Sequence, residues 1–283
     1  MPQAPEKDRI IDAHIHVWTA DTDKYPLAVG FTKEDLWRPS FTPEEHFSYS
    51  RSVGAVRLNM VQMFWYGRDH SYILDLVASD PETYAATGLM DLEDPAPQQT
   101  MVQLAQKRCF AFRLPAADFD HPAMARMFAT GAEHNLALSF NMGVDLLPAM
   151  ERLCRRFPQT PVILDHVCHV SIGEPNYTEA QIGALLRFAK HPQVMIKIGP
   201  LQGLGARQAP YLDVLPLIQR VVEAYGSQRC MWESDSGGPI WMGDPQSDFP
   251  AAVALIRDHA GFLRQAERED LLFRTAEGVF FQP

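Results

Sequence analysis

His14 and His16 stand two positions apart in the run RIIDAHIHV at residues 9–17. In an extended strand, side chains at i and i+2 leave the same face, so both imidazoles can point at one small object. At a strand end that object is most simply a metal ion. Asp12 precedes His14 by two positions. A lone histidine is more often a hydrogen-bonded core residue, but the pair closing a strand favours the metal reading, which strengthens if other strand ends supply matching ligands. The chain offers several. Arg113 lies in CFAFRL (109–114), Asp165 and His166 close PVILDH (161–166) with His169 just beyond, Lys197 lies in VMIKI (194–198), and RCMWE (229–233) runs into Ser234 and Asp235. His14, His16 and His166 with Asp235, converging from three strands, would suit one zinc or similar divalent ion.

Each of these residues also has a plainer explanation. Asp165 and His166 could be an ion-paired core couple. Asp235 in ESDSGGP could start a turn, since Asp and Ser favour turns before Gly and Pro. Lys197 could point outwards into solvent. The segment QMFWYGRDH (62–70) puts Trp65, Tyr66, Arg68 and His70 in the loop after a strand, suiting a flat or anionic ligand or else forming a hydrophobic plug. His121, His134, His191 and His259 fall at expected helix ends and read as surface residues.

The elements that must position these residues alternate along the whole chain. Strand-like runs fall at residues 9–17, 54–63, 84–92, 109–114, 136–141, 161–166, 194–198 and 229–233. Helical patterns follow in a segment opened by Thr42, Pro43 and Glu45, at 70–79, 96–106, 122–134 and 145–157, in a segment opened by Thr178 and Gln181, and at 211–225, 249–259 and 266–280. Thr42, Pro43 and Glu45 make an N-cap, a first-turn proline and a capping box, and Pro148 falls in a first turn, where its missing N–H does little harm. Residues 18–41 read as a long loop. Short apolar strands alternating with helices predict a buried parallel sheet, and eight of them predict a (β/α)8 TIM barrel forming a single domain over residues 1–283. An open doubly wound sheet is the alternative, but no Gly-rich phosphate turn follows an early strand, and Gly199, Gly203 and Gly205 do not match a dinucleotide fingerprint. In a barrel the active face lies at the C-terminal strand ends, where the candidate residues fall.

With 283 residues, 46% hydrophobic, the chain can bury a large core without disulfides. A net charge of −10 argues against nucleic acid as a partner, though local arginines could hold a small anion. Cys109, Cys154, Cys168 and Cys230 lie far apart without Cys-x-x-Cys spacing. They read as free thiols in a reducing, cytoplasmic setting. The polar start MPQAPEKDR lacks an apolar signal core, and no apolar run reaches membrane-span length.

Taken together, IDAHIHVW (11–18), LDH (164–166), MIKIG (195–199) and MWESDSGGP (231–239) resemble the amidohydrolase superfamily. More narrowly they are similar to its amidohydrolase-2 branch of lactonases and related hydrolases, in order and over essentially the whole chain. The resemblance implies a (β/α)8 barrel with a hydrolytic or decarboxylating site, metal ligands at His14, His16, His166 and Asp235, and catalytic roles for the same four residues. Two departures bear on metal number. Asn141 stands where the superfamily often has a fifth-strand histidine, and Arg113 or its neighbours occupy the fourth-strand place of the carboxylated lysine of binuclear members. Lys197, on the seventh strand, is not that lysine. Both departures argue for a single metal, or none. The implied reaction is hydrolysis of a small cyclic ester. Asp235 takes a proton from water, the histidines stabilise the oxyanion, and Arg113, with Arg68, His70, His169, Lys197, Trp65 and Tyr66, lines the substrate site. Non-oxidative decarboxylation of an aromatic acid and a non-catalytic small-molecule-binding barrel are the alternatives. A small-molecule substrate is expected, membrane and nucleic-acid partners are not, and an oligomer remains compatible with the sequence.

Overall fold

A computed structural model describes residues 9–116, 118–172, 178–239 and 243–283. Its strands are β1 (Ile10–Ile15), β2 (Ala55–Val61), β3 (Tyr84–Leu89), β4 (Ala111–Leu114), β5 (Ala137–Phe140), β6 (Val162–Leu164), β7 (Val194–Ile198) and β8 (Cys230–Trp232). They form one parallel sheet in chain order. The ends of the sheet meet. Ile15 bridges Ser236 in parallel, the His16 N–H donates to Ser236 O (2.8 Å), and the Asp235 N–H donates to His14 O (3.0 Å). The expected (β/α)8 barrel therefore closes on a seam that runs through the candidate site.

The helices are α1 (Pro43–Ser50), α2 (Ser71–Ser79), α3 (Pro97–Ala105), α4 (Pro122–His134), α5 (Leu147–Arg156), α6 (Glu179–Phe188), α7 (Leu201–Leu204), α8 (Leu215–Tyr225), α9 (Pro245–Ala254), α10 (Gln265–Glu269) and α11 (Thr275–Phe280). Thr42 accepts from the Glu45 N–H (3.3 Å) while Glu45 accepts from the Thr42 N–H (2.7 Å), the capping box read from sequence. Thr178 and Gln181 repeat it at the start of α6. β2 and β3 stop short of the apolar runs that announced them, while β7 spans its run in full. β2 ends at Val61 and β3 at Leu89 because Met63 and Met90 continue as buried loop residues. The helix expected over 211–225 begins as a tight turn and becomes α-helical only at Leu215. One reading is corrected: His191 is buried rather than on the surface, its ring 4.9 Å from that of Phe188. All four cysteines are free and buried. No described helix is long and apolar enough to cross a membrane.

The barrel interior is layered. Ile11, Ala13, Ala85, Ala111, Ala137, Ile163 and Met231 form one apolar cluster with Phe273, Ala276 and Phe280. Four alanines on four strands leave room that the phenylalanines of the final helical segment fill, and together they make the floor. Two residues further along, on the same strand faces, stand Thr87, Arg113, Ser139, Asp165 and Glu233, with Lys197 on β7. This polar layer lies between the floor and the seam.

Candidate active site

β1 breaks its own alternation. The β1–β2 register shifts between Asp12 and Ile15. Before the shift Ile11 and Ala13 join the floor, and after it Ile15 packs into the outer core, so His14 and His16 turn into the barrel. Asp12 remains outside. One of its oxygens accepts from the backbone N–H of His14 (3.3 Å) and of Ser234 (3.0 Å), tying the two sides of the seam together. Its other oxygen faces His46 Nε2 of α1 at 3.5 Å.

Inside the barrel, His14 Nε2 and His16 Nε2 lie 3.2 Å apart. Asp235 Oδ1 is 3.7 Å from the first and 3.6 Å from the second. His16 Nδ1 donates to Val61 O (2.9 Å), which leaves its Nε2 as an acceptor facing the centre. His166 places Nδ1 2.8 Å from Glu233 Oε1 and Nε2 3.3 Å from the Arg113 guanidinium. Beneath them Asp165 is held by Ser139 (2.8 Å), Lys197 (3.1 Å) and Arg113 (3.2 Å).

The electrostatics follow from burial. His14, His16, His166, Asp165, Lys197, Glu233 and Asp235 are all buried. Burial, then the nearby cations Lys197 and Arg113, holds His14 neutral well below its ordinary range. Burial, with Arg113, lowers His16 to about 3. Burial likewise raises Glu233 well above the usual carboxylate range and Asp235 to about 6. Asp165 goes the other way. Burial would raise it, but Lys197 and Arg113 outweigh that and keep it ionised.

The backbone around the site is strained. His166, Val167, Cys168 and His169 all have positive φ, between 52° and 58°. Non-glycine residues rarely do this singly, at a cost of roughly 1–2 kcal/mol each, and Val167 is β-branched. The turn sets the His166 and His169 rings 5.6 Å apart, and His169 bonds Asn141. Asp235 also lies in the left-handed region (φ 53°). Gly238 gives its carboxylate room, since a Cβ there would come within 2.4 Å of it.

The structure thus brings together His14, His16, His166, Asp235, Arg113, Lys197 and His169. It does not bring the remaining candidates to them. Arg68 forms an exposed ion pair with Asp91 (2.6 Å). His70 is buried and accepts from the Leu89 N–H (3.0 Å). Trp65 is wholly buried among Trp18, Trp37 and Phe64, and Tyr66 accepts from the Thr19 N–H (3.1 Å). The plug reading of this loop fits their positions. Lys197, although central, is fully buried under His14. Glu233, two residues before Asp235 on the same face, is the neighbour that sequence reading left without a role. Strand parity alone could have found it.

A metal can be tested against the donors present. Zinc bonds of about 2.0–2.2 Å in a tetrahedral shell place donors roughly 3.3–3.5 Å apart, close to the separations among His14, His16 and Asp235. His14, His166 and Asp235 offer ligand atoms all within 4.8 Å of one another. Asp235 Oδ1 is buried and has no hydrogen-bond partner, as a ligand oxygen would. The donor set fits one divalent ion.

The chain is similar to several known proteins. An L-fucono-1,5-lactonase from Burkholderia ambifaria is 28% identical over 236 residues, covering 80% of this chain and 79% of that protein. A Burkholderia multivorans amidohydrolase crystallised with bound zinc superposes with a TM-score of 0.76 at 23% identity, over 97% of this chain and 100% of the other. A Pseudomonas putida structure described as a 2-pyrone-4,6-dicarboxylic acid hydrolase does so at 0.74 and 18%, over 98% and 99%. The family model for amidohydrolases of the amidohydrolase-2 type matches residues 11–282, and the chain belongs to that family.

Proposed function

We propose that this protein hydrolyses a small lactone, with Asp235 as the general base. One observation carries the reading. Asp235 Oδ1 is buried, lacks a hydrogen bond, and faces two histidine nitrogens at 3.6 and 3.7 Å, at the end of the barrel where substrates bind. The similarity to a lactonase supports the substrate class. In the proposed reaction Asp235 removes a proton from water as its oxygen attacks the lactone carbonyl carbon. The ring C–O bond then breaks, and the departing alkoxide takes the proton back from Asp235. Arg113, with His169 beside His166, holds the carboxylate or hydroxyl groups of an anionic or polar substrate.

His14, His16, His166 and Asp235 would hold a single divalent ion, for which zinc is the choice that best suits nitrogen and carboxylate donors. Such an ion, when bound, polarises the carbonyl and lowers the pKa of water. The buried free thiols accord with a cytoplasmic setting. The reading is tested by offering purified protein a panel of sugar lactones and dicarboxylate lactones and titrating the acid released. Ring opening of at least one, lost in Asp235→Asn, is the expected result. CO2 release from aromatic acids with no lactone turned over would replace this reading with decarboxylation. Elemental analysis should give at most about one zinc-like ion per chain.

A further inference from the structure

His46 is buried on α1 among aromatic rings, with those of Phe41, Phe47, Tyr49 and Phe249 lying 5.1–6.4 Å from its own. A phenylalanine would suit such a cage, and burying an imidazole there costs free energy unless its nitrogens are hydrogen-bonded. What the histidine adds is two polar atoms aimed at different partners. Nδ1 meets the Tyr49 hydroxyl at 3.0 Å, one turn along the helix. Nε2 faces Asp12 Oδ2 at 3.5 Å, and neither of these two atoms bonds anything else among the described residues. The Tyr49 hydroxyl hydrogen-bonds the Ser236 side chain, the Ser236 and Ser234 hydroxyls lie 2.8 Å apart, and Asp12 accepts from the Ser234 N–H at 3.0 Å. Asp12, His46, Tyr49, Ser236 and Ser234 thus close a ring on the outer side of the seam. Hydroxyls and a neutral imidazole each donate and accept, so the ring closes whichever way its protons run.

We infer that His46 is a positioning residue for Asp235, acting on it through this ring rather than by touching it. The inference rests on the reading of Asp235 as the general base. Ser234 and Ser236 flank Asp235, and the Ser234 hydroxyl accepts from the Ser236 N–H (3.0 Å), bracing the left-handed backbone between them. On the other side of the seam Asp12 accepts from the His14 N–H (3.3 Å). By fixing Asp12 and, through Tyr49, Ser236, His46 ties α1 to both strand ends that carry the reacting groups. It does so from behind the barrel wall, fully buried and out of reach of substrate. A misplacement of roughly 1 Å is enough to cost about a hundredfold in turnover.

The experiment compares the wild type with His46→Phe, His46→Gln and Tyr49→Phe, by amide hydrogen exchange and by kcat and KM on whichever lactone is turned over. His46→Phe keeps the cage filled and leaves Asp12 Oδ2 without a partner. Exchange at the seam amides of His16 and Asp235 should quicken by about 10–100-fold, the range for an orphaned buried acceptor. Ala137 and Leu138, whose N–H groups donate at 2.9 Å on the far side of the barrel, should keep the wild-type rate. In the same variant kcat should fall by about 10–100-fold with KM within about twofold. His46→Gln, which offers an amide donor toward Asp12, should recover most of both losses, and Tyr49→Phe, which breaks the ring at one link, should fall between. Equal quickening on both sides of the barrel would make His46 an ordinary core residue and overturn the inference. So would unchanged exchange at His16 and Asp235 in His46→Phe. If the wild type turned over no lactone, the hydrolase reading would fall, and exchange alone would decide the role of His46.

Discussion

The floor and the roof of this barrel share strands, the roof lying further along them, and obey different rules. The floor is alanine against phenylalanine, with no charge to satisfy. The roof gathers Asp165, Glu233 and Asp235 with Lys197, Arg113 and three histidines, all but Arg113 fully or nearly fully buried. Burying apolar groups stabilises a fold by about 25 cal/mol per Å². Burying charges costs several kcal/mol per ion unless pairing is close to ideal. Asp165 has such pairing and stays ionised, whereas Asp235 has none and is raised to about 6. The contrast separates residues kept for the fold from residues kept in spite of it.

Substitutions in the two layers should therefore fail in different ways. The largest effect is expected for Asp235→Asn. Asn tolerates the left-handed backbone at this position but cannot accept a proton, so turnover on whichever lactone proves active should fall by about 10²–10⁴. Thermal unfolding should scarcely move. A variant that keeps near wild-type turnover would put the roof in the same class as the floor. Next in size is the pH profile. Asp235 works only when ionised, so activity should be full above its raised value and decline as pH falls through about 6, by about tenfold for each further unit. A profile flat down to pH 4 would remove Asp235 as the base.

In the floor the effect should be on stability alone. Ala137 is buried in the alanine cluster, and Ala137→Leu should cost about 1–3 kcal/mol by overpacking. Denaturant unfolding would measure this, with the pH profile of activity unmoved. A shifted profile would mean that the layers are mechanically coupled. The smallest effect is expected far from both. Thr42→Ala removes the cap of α1 and should cost about 1 kcal/mol, with kcat unchanged.

The contrast between layers also explains what could be read from the chain. The eight strands are legible because each is a short apolar run, and His14, His16, His166 and Asp235 are legible because they end such runs. Residues that gain their role from a partner on another strand are not. Lys197 reads as a solvent or substrate residue until β7 is set against β1. His46 gives no signal at all, since only folding brings it to Asp12. The register shift in β1 is hidden for another reason. Strict alternation would place Asp12 beside His14, and the extra residue that sends them to opposite sides leaves no mark in composition. Residues 62–70 read as aromatic and charged, but loop geometry commits Trp65, Tyr66, Arg68 and His70 to contacts with the protein itself.

The seam has a consequence for how the protein acquires and loses activity. Asp12 and Ser234, whose hydrogen bond spans it, are 222 positions apart in the chain, and His14 and Asp235 meet across the same join. Contacts of such sequence separation form late, after the intervening loop entropy has been overcome. During refolding, strand pairing among neighbours should therefore mature before turnover does. During mild denaturation the opening of this one join should silence the enzyme while most of the barrel is still wound.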